Sequence, residues 1–287
     1  MCDTSNNIII KIEENIIENP TNTLVNTLEN DPIKPPKFIF IVPYRDREQH
    51  LIFFKRQMKY VLEDMDPADY KIYYLHQCDK RSFNRGAMKN IGFLAMREKY
   101  PQHYKNITFI FNDVDTMPFS KNFLNYDTVF GNIKHFYGFK HTLGGIVSIK
   151  GIDFERIHGY PNFWAWGFED NMLYDRVLKA RLNVDRSRFF PYPDQNILHF
   201  NDGFHKPVNK SEFDRYTGKT AEGWSSVKNL KYTINEETGF IDVMYFTTGI
   251  NENPEAASIH DLRKGQAPFK GGRIARTGGT GIWRMNL

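Results

Sequence analysis

Cysteine is scarce in this chain, which has two among its 287 residues, Cys2 and Cys78. Because one of them lies next to the N-terminus, we do not expect a disulfide framework. Long apolar runs are missing too, and none approaches the roughly 20 residues that a membrane-spanning helix needs. Asp3 stands where a signal peptide would carry a basic residue. We therefore expect a soluble, cytoplasmic protein without a signal peptide, transmembrane segment or membrane anchor.

A large excess of either charge is also missing. Lys and Arg together number 38 and Asp and Glu 34, which gives a net charge of +4. This charge is too small to indicate a nucleic-acid-binding protein, although it suits an anionic small ligand. The hydrophobic content of 40% is ordinary for a globular protein, and the length suffices for one large catalytic domain.

Strands and helices alternate in the first half of the predicted core. β-Branched and aromatic runs predict strands, and amphipathic runs between them predict helices. The predicted strands are 38–42, 70–75, 106–111, 144–149 and 240–247, and the predicted helices are 48–65, 84–100 and 169–182. Strand, loop and helix repeated in this way predict an α/β fold with a mostly parallel central sheet flanked by helices.

The two ends of the chain differ in composition from this core. Residues 1–36 are rich in Asn, Glu and Thr and end in prolines, which predicts a flexible arm with a short helix near residues 8–17. Residues 37–250 form the predicted catalytic domain. Residues 251–287 are basic and glycine-rich, and we interpret them as a solvated tail.

An acidic turn follows the third predicted strand. Asp113 and Asp115 lie two positions apart where the apolar run ends, and Pro118 prevents further sheet pairing. Paired carboxylates at the carboxyl end of a parallel strand can bind a hard divalent cation. The alternative is a turn in which each Asp side chain binds its own backbone.

The loops after the first two strands carry arginines. Asp46 and Asn84 are predicted to cap the helices that follow, and Arg45, Arg47 and Arg85 lie beside them. A cation at a helix N-terminus opposes the helix dipole unless an anion binds there as well. The loops therefore predict a binding site for a metal-bridged diphosphate, with Tyr44 and Phe83 as an aromatic wall for a base. The alternative is that the arginines are ordinary solvated surface residues.

Two tryptophans precede two further acids. Trp164 and Trp166 lie just before Glu169 and Asp170, which open an amphipathic helix. A carboxylate in a partly dry pocket can have a raised pKa and act as a general base. The alternative is that both acids only stabilise the first turn of the helix.

In this order, the motifs resemble those of the β-1,4-galactosyltransferase family (glycosyltransferase family 7), a metal-dependent inverting group. The match runs from about Phe38 to Ile250, and six ordered motifs make coincidence improbable. The matching segments are Pro43-Tyr-Arg-Asp-Arg47, Phe83-Asn-Arg85, Asp113-Val-Asp115, Gly144-Gly145, Trp164-Ala-Trp-Gly-Phe-Glu-Asp-Asn171, His199 and Phe213-Asp-Arg215.

The resemblance implies a nucleotide-sugar-transferase (GT-A-like) fold and a role for each matching residue. Asp170 would be the catalytic base and Glu169 would orient the donor or acceptor. Asp115 and His199 would ligate Mn²⁺, with Mg²⁺ as an alternative. The residues that would contact the UDP-sugar are Pro43, Tyr44, Arg45, Arg47, Phe83, Arg85, Asp113, Val114 and Trp166.

The chain departs from the family pattern at the metal site. Many members have a Met three residues before the His, where this chain has Asn196. Another branch uses His-x-His, and this chain matches half of that pattern because Asn201 replaces the second His. Asn196 and Asn201 are therefore rival third ligands.

Other departures affect the pocket. Ala165 and Phe168 replace small glycines and should alter the mobile flap, and Asn171 replaces a third acid. Thr142 lies in the region where the family sets the donor sugar with a larger Tyr. The short segment between Tyr137 and Gly144 resembles the xylosylprotein galactosyltransferase branch.

These features predict transfer of galactose from UDP-galactose to a hydroxyl of a glycan or glycoconjugate acceptor. Because Thr142 is smaller and makes room for an N-acetyl group or a different donor, UDP-N-acetylgalactosamine and UDP-glucose are alternative donors. A metal-dependent phosphoesterase would also use Asp113, Asp115 and His199, but it would not need the tryptophan pair. An inactive lectin-like module is a third alternative, supported only by the losses at Ala165 and Asn171.

Overall fold

The computed structural model describes residues 10–11, 34–265 and 267–269. Within these residues the strands are β1 (Ile10–Lys11), β2 (Phe38–Tyr44), β3 (Tyr70–Gln77), β4 (Thr108–Asn112), β5 (Thr116–Pro118), β6 (Asn132–Gly138), β7 (Ile146–Lys150), β8 (Asn183–Asp185), β9 (Phe190–Pro191), β10 (Ile197–His199), β11 (His205–Asn209), β12 (Lys228–Asn235), β13 (Phe240–Thr247) and β14 (Ala257–Asp261). The α-helices are α1 (Glu48–Val61), α2 (Arg85–Lys99), α3 (Gly151–Arg156), α4 (Glu169–Lys179) and α5 (Lys210–Thr217), and short 3₁₀ helices lie at Trp224–Ser226, Pro254–Ala256 and Leu262–Lys264.

A mixed sheet runs through the centre of the protein. Its strand order is β1-β12-β13-β3-β2-β4-β7-β6-β8, with β9 also paired to β6. The four middle strands β13, β3, β2 and β4 are parallel, whereas β7 pairs antiparallel with β4. The predicted α/β fold with parallel strands at its centre is therefore confirmed.

Helices cover both faces of the parallel strands. Ile39 and Ile41 of β2 pack in one cluster with residues of α2, and Phe40 and Val42 pack in the other with residues of α1. Because side chains alternate along a strand, burial on both faces requires an unbroken apolar run. Gly92 of α2 permits the close approach, since a Cβ there would lie 2.7 Å from a methyl group of Ile41.

The two predicted helix caps have different outcomes. The Asn84 side chain accepts a hydrogen bond from the Ala87 amide at 2.8 Å, so it caps α2 as predicted. The prediction for Asp46 is wrong. Asp46 adopts a left-handed backbone with φ of 51° and its side chain is 92% exposed, while Arg47 occupies the cap position of α1 without a side-chain hydrogen bond.

Two short strands fall within the ranges predicted as arm and tail. Ile10–Lys11 pairs with β12, so these two residues are a strand and not part of the helix predicted near residues 8–17, and Ala257–Asp261 pairs with β11. The other residues of that predicted helix lie outside the described residues. β1 covers the outer edge of β12 in the central sheet, whereas β14 and β11 form a separate two-stranded sheet. The rest of the predicted arm up to residue 33, and the tail from residue 270, lie outside the described residues. Among the helices described, none has the length and apolarity needed to cross a membrane.

Candidate active site

The parallel strands bring the three predicted loops to one edge of the sheet. β2, β3 and β4 are in register, so the residues that follow each strand leave at the same edge. Burial lowers the pKa of Arg47, an effect that Asp115 opposes and Arg85 reinforces. The charged groups of the first, second and third loops therefore lie within electrostatic reach of one another.

Arg85 links this edge to the acids after the tryptophans. Its Nε lies 2.7 Å from Oε1 of Glu169, whose side chain is 3% exposed. Burial alone would lower the pKa of Arg85, but Glu169, Asp113 and Asp170 outweigh it and raise the pKa above its usual range. The neighbouring carboxylates thus offset the unfavourable position of a cation at the start of α2.

Lys89, one turn along α2, is a site residue that the motifs did not indicate. Its Nζ lies 3.3 Å from Oδ1 of Asp170 and 3.5 Å from Oδ1 of Asp113. The side chain is buried and its ammonium group lies 4.6 Å from the ring centroid of Tyr160. Since Lys89 follows Arg85 by four residues, helix periodicity places both cations on one face and could have revealed it.

The two carboxyl groups beside Lys89 differ in protonation. Burial raises the pKa of Asp170 to about 7, an effect that Lys89 limits and that Glu169 and Asp113 increase. Burial also acts on Asp113, but Lys89 and Arg85 outweigh it and hold the pKa of that carboxyl below its usual value. Neighbouring acids with separated pKa values are typical of a base paired with a permanently charged partner.

The backbone also fixes Asp170. A Cβ at Gly144 would lie 2.4 Å from Oδ2 of Asp170, so a side chain at this position would displace the carboxyl group. The Leu143 amide donates a hydrogen bond to the backbone carbonyl of Asp170 at 3.1 Å. The double glycine of the sequence motif therefore gives room to the predicted base.

Asp115 and His199 are brought together by a short antiparallel pair of strands. His199 of β10 pairs with Thr116 of β5, directly after Asp115. The Thr116 hydroxyl donates to Oδ1 of Asp115 at 2.9 Å and lies 3.2 Å from Nδ1 of His199. A carboxylate and an imidazole held by one hydroxyl are a donor set that suits Mn²⁺.

Asn196 and Asn201, the two candidates for the third metal ligand, lie on opposite sides of His199 in the chain and have different surroundings. Asn196 precedes His199 by three residues, roughly 10 Å along an extended chain. Its carbonyl accepts from the Phe119 amide and its Nδ2 donates to Asp194, so the structure does not bring Asn196 to Asp115. Asn201 is exposed and its Oδ1 accepts from the Gly203 amide at 2.9 Å.

The predicted nucleotide contacts form a half-buried wall at the ends of β2 and β3. The Arg45 guanidinium lies 5.3 Å from the ring centroid of Phe83 and its Nη1 donates to the Arg81 carbonyl at 2.5 Å. The Tyr44 ring contacts His76 at 5.4 Å between centroids. Pro43 and Val114 are buried beside this wall.

Arg47 has a partner that the sequence did not indicate. Its Nη2 and the Nζ of Lys206 both donate to the carboxylate of Asp202. Burial and the neighbouring Arg47 together lower the pKa of Lys206 to about 8. Two cations that share one carboxylate retain a net positive charge, which is available to an anionic ligand.

The tryptophan segment has two parts. Trp164 is 1% exposed, and its Nε1 donates to the Ile250 carbonyl at 3.1 Å. Trp166 is half-buried, and its amide donates to Pro207 at 2.7 Å. Ala165 and Phe168 adopt left-handed backbones with φ of 80° and 70°, which explains why glycine suits these positions.

Two family models match adjoining parts of the chain. Residues 17–126 match the N-terminal region of glycosyl transferase group 7, and residues 125–205 match the N-terminal domain of galactosyltransferase. Together they cover residues 17–205, more than half of the chain. The protein belongs to the group 7 glycosyltransferases, as its ordered motifs predicted.

Individual relatives agree with this assignment. Beta-1,4-galactosyltransferase 1 of Bos taurus is 30% identical over 196 residues, which is 64% of this chain and 47% of the relative. Beta-1,4-galactosyltransferase 6 of Mus musculus is 29% identical over 237 residues, 78% of this chain and 59% of the relative. The chain therefore spans about half the length of these curated relatives.

Solved structures show the same fold. The catalytic domain of Drosophila beta1,4galactosyltransferase 7 in complex with xylobiose has 20% identity and a TM-score of 0.58, covering 76% of this chain and 96% of that chain. A mutant of that enzyme, in complex with manganese, UDP-Gal and xylobiose, has 21% identity and a TM-score of 0.59 with the same coverage. The predicted nucleotide-sugar-transferase fold is thereby confirmed.

Proposed function

We propose that this protein is a metal-dependent inverting glycosyltransferase that moves galactose from UDP-galactose to a hydroxyl group of a glycan or glycoconjugate. The observation that carries the proposal is the position of Asp170. This carboxyl group has a pKa of about 7 and is linked through Lys89 to Asp113, at the sheet edge that holds Arg85. A base with a pKa near the operating pH is what deprotonation of a sugar hydroxyl requires.

The proposed reaction assigns a separate task to each group. Asp170 accepts the proton of the acceptor hydroxyl, whose oxygen attacks the anomeric carbon from the face opposite the diphosphate. The bond between that carbon and the diphosphate oxygen breaks, and the electron pair leaves with UDP. Arg47 and Lys206 stabilise the charge that develops on the leaving diphosphate.

Asp115 and His199 are the proposed protein ligands of the metal, with Asn201 as the third. Mn²⁺ bound here would supply positive charge to the diphosphate, and the oxygen donors of the site would also accept Mg²⁺. Support comes from the Thr116 hydroxyl, which contacts both side chains and fixes their orientation. The manganese in the related Drosophila structure agrees with this assignment.

The proposed donor and acceptor rest on the nucleotide wall, on Trp166 and on the related Drosophila structures. Arg45, Phe83 and Tyr44 form the proposed wall for the uracil base, and Trp166 the cover of the donor. The xylobiose in the Drosophila complexes and the short segment before Gly144 support a xylose-containing acceptor. Thr142, whose hydroxyl donates to the Phe139 carbonyl at 3.2 Å, keeps UDP-N-acetylgalactosamine and UDP-glucose as alternative donors.

The test is a panel of UDP-sugars assayed for Mn²⁺-dependent release of UDP, first without an acceptor and then with xylosides. UDP-galactose should be the best substrate, and Asp170→Asn should abolish transfer while leaving UDP binding in place. Equal hydrolysis of simple phosphate esters would favour a phosphoesterase. UDP-sugar or glycan binding without any turnover would instead favour an inactive lectin-like module.

A further inference from the structure

A second group of ligating side chains lies next to Tyr44 of the nucleotide wall. In the described ranges, His76, Cys78 and Asp242 are the one set of three His, Cys, Asp or Glu residues whose ligand atoms all lie within 4.8 Å of one another. None of them has a role in the reaction proposed above. The inference that follows is therefore independent of that function.

Sheet register, and not a flexible loop, places these three side chains together. Asp242 of β13 lies directly opposite His76 of β3 in a parallel pair. Cys78 follows His76 by two residues, and its amide donates to the Val243 carbonyl at 3.0 Å, which continues the pairing. Because side chains two apart in an extended strand point to one face, all three project from the same side of the sheet.

The distances between their donor atoms approach those of a tetrahedral metal site. Nδ1 of His76 lies 2.8 Å from Oδ1 of Asp242 and 3.5 Å from Sγ of Cys78, and Sγ lies 3.9 Å from the same Oδ1. Metal–ligand bonds of about 2.0–2.3 Å in a tetrahedron require donor separations of roughly 3.3–3.6 Å. The largest adjustment needed is to open the hydrogen bond between His76 and Asp242 by about 0.5 Å.

The chemistry of the set selects the metal. A thiolate, an imidazole and a carboxylate are ligands that Zn²⁺ accepts together, whereas Mn²⁺ and Mg²⁺ prefer oxygen donors. The side chains of His76 and Asp242 are 27% and 25% exposed, so an ion can enter and a water molecule can complete the coordination. Tyr44 and Phe240 contact the His76 ring and restrict its rotation.

We propose that His76, Cys78 and Asp242 form a zinc site separate from the proposed metal site at Asp115 and His199. Binding would replace the hydrogen bond between His76 and Asp242 and would release the thiol proton of Cys78 to solvent. Because His76 contacts Tyr44, the bound ion would also fix one side of the nucleotide wall.

Cobalt spectroscopy tests the site, because a thiolate bound to Co²⁺ gives a near-ultraviolet charge-transfer band that oxygen and nitrogen ligands do not give. The full chain is used with Cys2→Ser, so that Cys78 is its single thiol. We expect the band to appear on addition of Co²⁺, to disappear on addition of Zn²⁺, and to persist in Asp115→Ala. His103→Asn, at an exposed histidine elsewhere, is the matched control and should keep the band.

Cys78→Ser should lose the band because the thiolate is removed, and Asp242→Asn should need more Co²⁺ to develop it because one ligand is weakened. Both should weaken Zn²⁺ binding by more than about 100-fold, since removal of an outer-shell partner alone costs about 10–100-fold. Circular dichroism checks that both variants fold. A folded parent protein without the band, or a Cys78→Ser variant that binds Zn²⁺ as tightly as the parent, would overturn the proposal. The three residues would then be a hydrogen-bonded network only.

Discussion

Replacing Lys89 by methionine removes the buried cation between Asp113 and Asp170 while keeping most of the side-chain volume. The Nζ lies 3.3 Å from Oδ1 of Asp170, and at an effective dielectric constant of about 20 this separation corresponds to roughly 5 kcal/mol of attraction. Because a nearby opposite charge usually shifts a carboxyl pKa by about 1–3 units, we expect the pKa of Asp170 to rise by that amount.

The sign of the effect on activity follows from the proposed role of Asp170 as a base. At pH 7 a group with a pKa of about 7 is half deprotonated, and a higher pKa leaves less of it active. The rate at pH 7 should fall about 5-fold for a shift of one unit and about 500-fold for three units. Activity should recover as the pH rises, because a higher pH deprotonates a carboxyl group whose pKa is raised. In the variant the pKa of Asp170 is still raised by Glu169 and Asp113 and lowered by Arg85.

The assay is the pH profile of kcat/KM for sugar transfer by the parent and by Lys89→Met. The acidic limb of the profile should move to higher pH, whereas the exposed control Lys105→Met should leave it in place. Loss of the buried partner should also cost about 3–5 kcal/mol of stability, which thermal unfolding would measure. A uniform loss of activity with an unshifted limb would refute the electrostatic role and leave Lys89 as a packing residue.

Three further changes test the rest of the site. Asp115→Ala should remove Mn²⁺-dependent UDP binding with little change in Tm, and an unchanged calorimetric titration would contradict the ligand assignment. Gly144→Ala should displace the carboxyl group of Asp170, lowering kcat at least about tenfold with UDP affinity unchanged. Equal kcat values for parent and variant would show that the base lies elsewhere. Ala165→Gly relieves a left-handed backbone conformation that costs about 1–2 kcal/mol for a non-glycine residue. Glycine also increases the entropy of the unfolded chain, so the free energy of unfolding should rise by no more than about 1 kcal/mol. A fall in that free energy, measured by urea unfolding, would exclude strain at Ala165.

Sequence patterns predicted the parallel strands because β2 and β4 are buried on both faces and therefore appear as unbroken apolar runs. Strands β6 and β12, which lie outside the parallel centre of the sheet, contain polar residues among the apolar ones, and the sequence analysis did not find them. Ordered motifs predicted that Arg85, Asp115 and Asp170 meet, and the structure brings them within electrostatic reach of one another.

Other features depend on contacts that the sequence does not contain. A lysine inside an amphipathic helix usually lies at the surface, so the spacing from Arg85 shows only that the two cations share one face of α2. The burial of Lys89 between Asp113 and Asp170 depends on where α2 packs. The pairing of His76 with Asp242 joins residues 166 positions apart through strand register. The start of α1 after Arg47, and not at Asp46, and the position of Asn196 likewise depend on local backbone geometry.

The pairing of β5 with β10 has a consequence for how a metal ion is exchanged. Asp115 and His199 are 84 residues apart (199 − 115), and closing a loop of that length costs an unfolded chain about 4–5 kcal/mol of entropy. The three register pairs between these strands have already closed the loop. An ion that binds at the proposed site would therefore meet two side chains already held together, and its arrival or departure would leave the intervening segment folded.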